Sequence, residues 1–279
     1  MSSLAITSLF SVNGKNALVT GGGSGLGAMM AAALVQNSAN VIIASRKEKQ
    51  LKEVSDKLNA AGPGKCSYIV ADISSKAGCD ALCDAVKQKI DKLHILVNNS
   101  GVTWGAPYAD FPEQGWTKVM NVNVNSLFFV TAGLTELLAK DADNINPGRV
   151  INIASVAARD ARTEDTGLSD PGVGLWSYNT SKAAAVHLTS QLCVTLSKRY
   201  ITVNAILPGV YPSKMTAHGL SKHEEALAKG HPMGRIGTAE DMAGLLLFLC
   251  SRAGAHVSGE SIATDGGATV AGAGCFTKL

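Results

Sequence analysis

The chain has 279 residues, 46% of them hydrophobic and 17% charged, enough to bury a large core in one α/β domain without an internal linker. Its formal net charge is only +3 and no block of five like charges occurs, so composition lends no support to a basic nucleic-acid face and points to a small-molecule partner. The first residues lack the basic start of a secretory signal, and no sequence run approaches membrane-spanning length, so the expectation is a soluble protein with no membrane partner.

The first expected strand is the apolar run 16–20, followed by Thr20-Gly21-Gly22-Gly23-Ser24-Gly25-Leu26-Gly27 and then by a stretch of helical composition from Ala28. A glycine-rich bend between strand and helix lets the backbone approach a pyrophosphate and aims free amides at it from the helix N-terminus. An ordinary tight turn needs one or two glycines, whereas five of the residues 21–27 are glycine. The second strand, 41–45, runs into Ser45-Arg46-Lys47. A carboxylate at this point would accept hydrogen bonds from the ribose diol of NAD; a hydroxyl and two cations suit the 2′-phosphate of NADP instead. The competing reading has Arg46 and Lys47 merely solvating the start of the helix 51–60. After the third strand, 67–71, Asp72 is placed either to accept from an adenine amino group or to cap the segment that follows.

Next come a helix at 78–89, a strand at 94–98, a long helix at 116–138 and a strand at 149–154. Ser155 directly follows that strand, ahead of a polar loop, 159–174, that carries a second serine, Ser169. Tyr178 and Lys182 then stand four residues apart in a helical stretch, before the helix 181–199, so both side chains leave one face. A free tyrosine titrates near ~10, and a neighbouring ammonium lowers that value toward the working range of an acid–base catalyst. A strand at 202–207, a second long loop at 211–237, a buried helix at 239–251 and a strand at 261–264 complete the pattern.

Apolar strands alternating with helices imply an α/β chain: a single-domain Rossmann fold over 1–279, with a doubly wound parallel sheet and helices on both faces. Ligands of such sheets bind beyond the carboxyl ends of the strands, where substrate loops at 159–176 and 211–237 begin. Trp104, Trp176, Tyr211, Met215 and Leu220 lie on the surrounding loops. They are candidate pocket residues, the alternative being packing beneath those loops. The six cysteines form no Cys-x-x-Cys pair, and Cys79 and Cys83 have no histidine nearby, so no metal site and no disulfide framework is expected. Reduced thiols suit the cytoplasm. Thr277-Lys278-Leu279 approximates a Ser-Lys-Leu peroxisomal address, which makes the peroxisome the alternative location.

Thr20-Gly-x-x-x-Gly-x-Gly27, Asp72, Asn98-Asn99-Ser100-Gly101, Asn123, Ser155, Tyr178-x-x-x-Lys182 and Pro208-Gly209 come in an order and spacing that resembles the short-chain dehydrogenase/reductases over nearly the whole chain. Within that family, 208–216 and 232–237 resemble NADPH-dependent β-ketoacyl reductases of the rhamnolipid type. The resemblance implies an oxidoreductase that transfers hydride between NADPH and a ketone or 3-oxoacyl carbonyl. Tyr178 would donate the proton, Lys182 would depress the Tyr178 pKa and hold the nicotinamide ribose, and Ser155 would hydrogen-bond the carbonyl oxygen. Asn123 would anchor a water that relays protons to the lysine, while its neighbours Asn121 and Asn125 are expected to bond the backbone. Cofactor contacts are implied for Gly21, Ser24, Leu26, Arg46, Asp72, Ile73, Asn99, Tyr178, Lys182, Tyr211 and Ser213. Family members pair through the helices bearing Asn123 and Tyr178 and through the C-terminal segment, which implies a homodimer or homotetramer.

Two departures stand out. Ser100 occupies a position where the family has alanine, and about ten extra residues separate Ser155 from Tyr178, lengthening the pocket rim within 159–174. A non-catalytic NADP-binding regulator is the alternative class, but it has no need of Ser155, Tyr178 and Lys182 together. An enoyl reductase would show a wider tyrosine-to-lysine spacing, and a sugar epimerase a longer chain with a separate lobe.

Overall fold

Seven strands pair in parallel in the order β3-β2-β1-β4-β5-β6-β7: β1 Asn16–Thr20, β2 Asn40–Ser45, β3 Lys65–Val70, β4 Ile95–Asn98, β5 Gly148–Ile153, β6 Ile201–Pro208 and β7 Ser261–Thr264. The computed structural model describes residues 3–164, 169–213, 215–217, 220–221, 225, 228–229 and 231–271. Strand limits fall within two residues of the apolar runs, as expected where both faces are covered and no polar alternation marks an end.

Successive side chains point to opposite faces. Ala17 and Val19, Val41 and Ile43, and Ile95 and Val97 meet the helices α2 Gly25–Gln36, α3 Glu48–Ala61 and α8 Ala239–Cys250. Leu18, Ile42, Leu96 and Val150 meet the opposite layer, made of α4 Lys76–Lys89, α6 Ser126–Ala139 and α7 Trp176–Ser197. The short α1, Ile6–Leu9, lies outside both layers and buries no residue. The sheet order reverses between β1 and β4, and the glycine-rich turn after β1 and Asn99 after β4 flank that point, where an open α/β sheet takes its ligand.

The long helix expected at 116–138 is α5 Glu113–Met120 and α6 joined through a π-helical turn, Asn121–Asn125. As one run, Glu113–Ala139, it is long and apolar enough to cross a membrane by length and composition, which corrects the reading that no run is. Here Val130, Leu134 and Leu138 are fully buried against the sheet, the placement of a core helix. Helix α7 begins at Trp176, so Tyr178 already lies in its first turn.

Candidate active site

Helix α7 presents Tyr178, Lys182, Ala185, Thr189, Leu192 and Leu196 along one stripe, and from Lys182 onward that stripe is buried. Lys182, 4% exposed, donates from Nζ to the Ile153 carbonyl at 2.8 Å. Burial holds its pKa down at about 8. Its Nζ stands 5.6 Å from the centre of the Tyr178 ring. Burial pushes the Tyr178 phenol above its ordinary value, and the Ser155 hydroxyl, as a hydrogen-bond partner, works against that rise. In the resting site the net direction is upward, against the expected lowering, because the phenol has lost water, while the Lys182 ammonium is directed to a backbone carbonyl.

Ser155 leaves β5 in extended conformation and caps the 3₁₀ turn Val156–Ala158, its oxygen accepting from the Ala157 amide at 3.1 Å. The hydroxyl proton stays free to serve the phenol or a carbonyl oxygen. Ser169 lies in the loop far along the chain from this strand end and is not the serine at the phenol.

Asn123 is fully buried in the π-helical turn. Its Oδ1 accepts from the Val102 amide at 2.9 Å, and its Nδ2 donates to the Val102 carbonyl and to Ser181 Oγ, both at 2.9 Å. Ser181 in turn donates to the Tyr178 carbonyl at 2.7 Å. The Asn123 amide therefore ties the loop after β4 to the first turn of α7. Asn121 and Asn125 bond each other, Nδ2 to Oδ1 at 2.8 Å, rather than the backbone as expected, since four residues' spacing places them side by side on the exposed face.

A groove of about 360 Å³ runs from Tyr178 and Lys182 across the glycine-rich turn to Ser45, Arg46 and Lys47, and Gly21, Ser24, Leu26, Asp72, Ile73, Asn99 and Ser213 also line it. Gly21 takes φ +67°, and a Cβ there would stand 2.7 Å from Asn99 Nδ2; a Cβ at Gly27 would run into the Gly21 carbonyl. Asn99 locks this turn by donating to the carbonyls of Thr20, at 2.9 Å, and Gly21, at 3.3 Å. Ser24 is the N-cap residue of α2, yet its side chain makes no capping bond, which leaves its hydroxyl to the groove. Asp72 accepts from the Ser74 amide at 3.0 Å, while Ser75 caps α4, so the capping alternative for Asp72 falls. Arg46 and Lys47 form no ion pair among the described residues. A side-chain-free cradle, an unspent hydroxyl at a helix N-terminus and two unpaired cations fit a phosphate-bearing dinucleotide.

Several expectations do not survive. Tyr211 is 2% exposed, its hydroxyl hydrogen-bonds Thr264 Oγ1 at 2.7 Å and its ring packs on Gly237, so its side chain faces the core and not the groove. Trp104 lies against Gly115 with Lys118 Nζ 5.3 Å from its ring, and the Trp176 ring lies tilted against that of Tyr108, their centres 5.3 Å apart. Trp104 thus packs against α5, and Trp176, the first residue of α7, packs against the loop before α5. Met215 does line the groove. The rim formed by 159–174 is stitched to the loop before α5, with Ala106 and Gly174 exchanging backbone hydrogen bonds at 3.2 and 3.0 Å.

A family model described as enoyl-(acyl carrier protein) reductase matches residues 21–269. The chain belongs to the short-chain dehydrogenase/reductase family. It is an oxidoreductase of that family. It is 41% identical to the rhamnolipids biosynthesis 3-oxoacyl-[acyl-carrier-protein] reductase of Pseudomonas aeruginosa, over 92% of this chain and 97% of that one. It is 32% identical to gluconate 5-dehydrogenase of Gluconobacter oxydans, over 94% of this chain and 97% of that one. Among solved structures, the Pseudomonas aeruginosa RhlG/NADP active-site complex superposes with TM-score 0.85 at 41% identity, covering 94% of this chain and 98% of that chain. A gluconate 5-dehydrogenase from Burkholderia cenocepacia in complex with NADP and tartrate superposes with TM-score 0.83 at 26% identity, covering 95% and 99%.

The sequence reading missed the partners that hold the reactive side chains. Ser181 and the Ile153 carbonyl lie 58 and 29 residues from the groups they bond, a distance no local pattern bridges.

Proposed function

We propose that this protein reduces a ketone, most specifically a 3-oxoacyl carbonyl, to a secondary alcohol with NADPH. The observation that carries the reading is that Tyr178, with Ser155 as its hydrogen-bond partner, and Lys182 line one end of a groove whose other end is cationic. When bound, NADPH supplies the hydride. Its 2′-phosphate would be held by Arg46 with Ser45 and Lys47, and its pyrophosphate by the turn at Gly21 and by Ser24.

The chain's own groups handle the proton. Tyr178 stays protonated through the neutral range because burial raises its pKa, so it can donate to the carbonyl oxygen as charge develops there. Ser155 donates a second hydrogen bond to the same oxygen and steadies it. Lys182, cationic below about pH 8, offsets the phenolate that the transfer leaves behind. Asn123 holds Val102 and Ser181 and so keeps the first turn of α7 in place. The relatives that the chain matches are enzymes of this chemistry, which disfavours the reading as a regulator without turnover.

The 3-oxoacyl assignment draws on the 41% identical relative rather than on an aromatic pocket, since Trp104, Trp176 and Tyr211 turn away. The rims at 159–176 and 211–237 are the proposed substrate loops. Exposed Phe128 and Val194 on α6 and α7 support self-association of the chain, as a homodimer or homotetramer. We place the protein in the cytoplasm on the strength of its free cysteines. The Thr277-Lys278-Leu279 alternative lies outside the described residues.

The test is NADPH oxidation by the pure protein with a panel containing a 3-oxoacyl thioester, 5-keto-D-gluconate and simple ketones. Fastest turnover with the thioester is the expected result. Preference for the keto-sugar acid would transfer the assignment to the gluconate group, and no oxidation with any member would sink the enzymatic reading.

A further inference from the structure

A buried polar chain crosses the sheet beneath the active site. Asn98 and Asn152 are direct partners in the register of β4 and β5. Asn98 Nδ2 donates to Thr131 Oγ1 on α6 and to Asn152 Oδ1, both at 3.0 Å. Asn152 Nδ2 donates to Thr189 Oγ1 on α7 at 2.9 Å, and the Thr189 hydroxyl in turn donates to the Ala185 carbonyl at 2.8 Å. The four residues are at most 3% exposed.

Each member stands one short step from a group of the reaction. Thr131 is on the helix that continues from the turn holding Asn123. Asn98 precedes Asn99, and Asn152 lies three residues before Ser155. Thr189 lies seven residues, two turns, beyond Lys182 on the same stripe of α7, and eleven beyond Tyr178. Below Ala185 that stripe is otherwise Leu192 and Leu196, and an apolar stripe against an apolar sheet discriminates weakly between neighbouring helix rotations. One buried hydroxyl that must meet one buried amide selects a single rotation, because any other leaves both unpaired.

We propose that Asn152 and Thr189 are positioning residues for the carbonyl reduction: by joining α7 to β5 they set the rotation of the helix, and so the place of Tyr178 and Lys182 opposite Ser155. A small rotation is amplified at the end of a tyrosine, and a misplacement of about 1 Å at a reacting group costs about 10²-fold in rate.

This inference rests on the reductase reading, so its test carries one activity measurement and one that needs no turnover. Thr189→Val is expected to lower kcat about ten- to a hundredfold with the dissociation constant of NADPH, read by its fluorescence, within about twofold. Thr189→Ser keeps the hydroxyl and is expected to restore kcat. The pair Asn152→Leu with Thr189→Val removes both ends of that bond but leaves Asn98 Nδ2 without its Asn152 acceptor, so it is expected to regain Tm in part without regaining kcat. The Tyr178 titration, read as phenolate absorbance against Tyr178→Phe, should shift in Thr189→Val and return in Thr189→Ser. A wild type without turnover defeats the reductase reading, and the titration then decides this proposal alone. An unshifted titration with kcat within twofold of wild type, or recovery of kcat together with Tm in the double variant, would show that the chain serves folding only. If Thr189→Val does not fold, the double variant and Thr189→Ser decide between the same outcomes.

Discussion

Lys182 Nζ stands 5.6 Å from the centre of the Tyr178 ring while its hydrogen bond goes to the Ile153 carbonyl at 2.8 Å. The pair thus shares a cavity without sharing a proton. Burial moves the two groups in opposite senses, raising the phenol and lowering the ammonium to about 8, because each is driven toward its neutral form. Resting acid and supporting cation are therefore separate titrations, with the cation the first to be lost as pH rises.

That order fixes a pH profile. Below about pH 8 Lys182 is protonated and the phenol is neutral, the state that the proposed proton transfer requires. As pH rises through the lysine's value the cation disappears, while the phenol, with its raised pKa, is still un-ionised. Reduction measured as kcat/KM for NADPH, which reports the free enzyme, should be flat from pH 6 to about 8 and then fall about tenfold per unit. A profile flat to pH 10 would assign Lys182 a purely structural place.

Replacing Tyr178 with Phe keeps the ring and removes the proposed proton donor. Turnover should fall about 10²–10⁴-fold, with the dissociation constant of NADPH changed little. Near-normal turnover in this variant would eliminate the mechanism.

What the sequence carried and what it lacked differ in physical kind. Strands such as 41–45 and the helix–strand alternation are local patterns, legible because burial on both faces makes each run apolar from end to end. Tyr178 and Lys182 were legible because helical spacing alone puts them together. The direction a loop residue faces is not local: Tyr211 turns inward because Thr264, 53 residues away, offers it a hydroxyl, and Trp176 turns toward Tyr108. Asn152 and Thr189, 37 residues apart, read separately as an ordinary strand residue and an ordinary helix residue.

Phe128 is 45% exposed and Val194 75% exposed on α6 and α7, an apolar display that a second copy of the chain would cover. Light scattering at micromolar concentration should give at least twice the mass of one chain, and Val194→Glu should lower it. A monomeric wild type would refute the assembly.

Arg46 and Lys47 line the far end of the groove, and no carboxylate of the described residues pairs with them, which is the arrangement a 2′-phosphate needs and a ribose diol does not. If Arg46 holds that phosphate, Arg46→Ala removes a charge-assisted hydrogen bond worth about 1.5–3 kcal/mol from the complex with NADPH and little from that with NADH. The loss corresponds to about ten- to a hundredfold in affinity. Lys47, a point charge without the planar fork, would retain part of the attraction, so the variant should keep a reduced preference rather than invert it. The deciding quantity is the ratio of kcat/KM for NADPH to that for NADH, compared between wild type and Arg46→Ala, because a general loss of folding or of positioning divides out of it. A wild type that prefers NADH, or a variant that loses equally with both cofactors, would show that Arg46 is only a solvated cation at the start of α3.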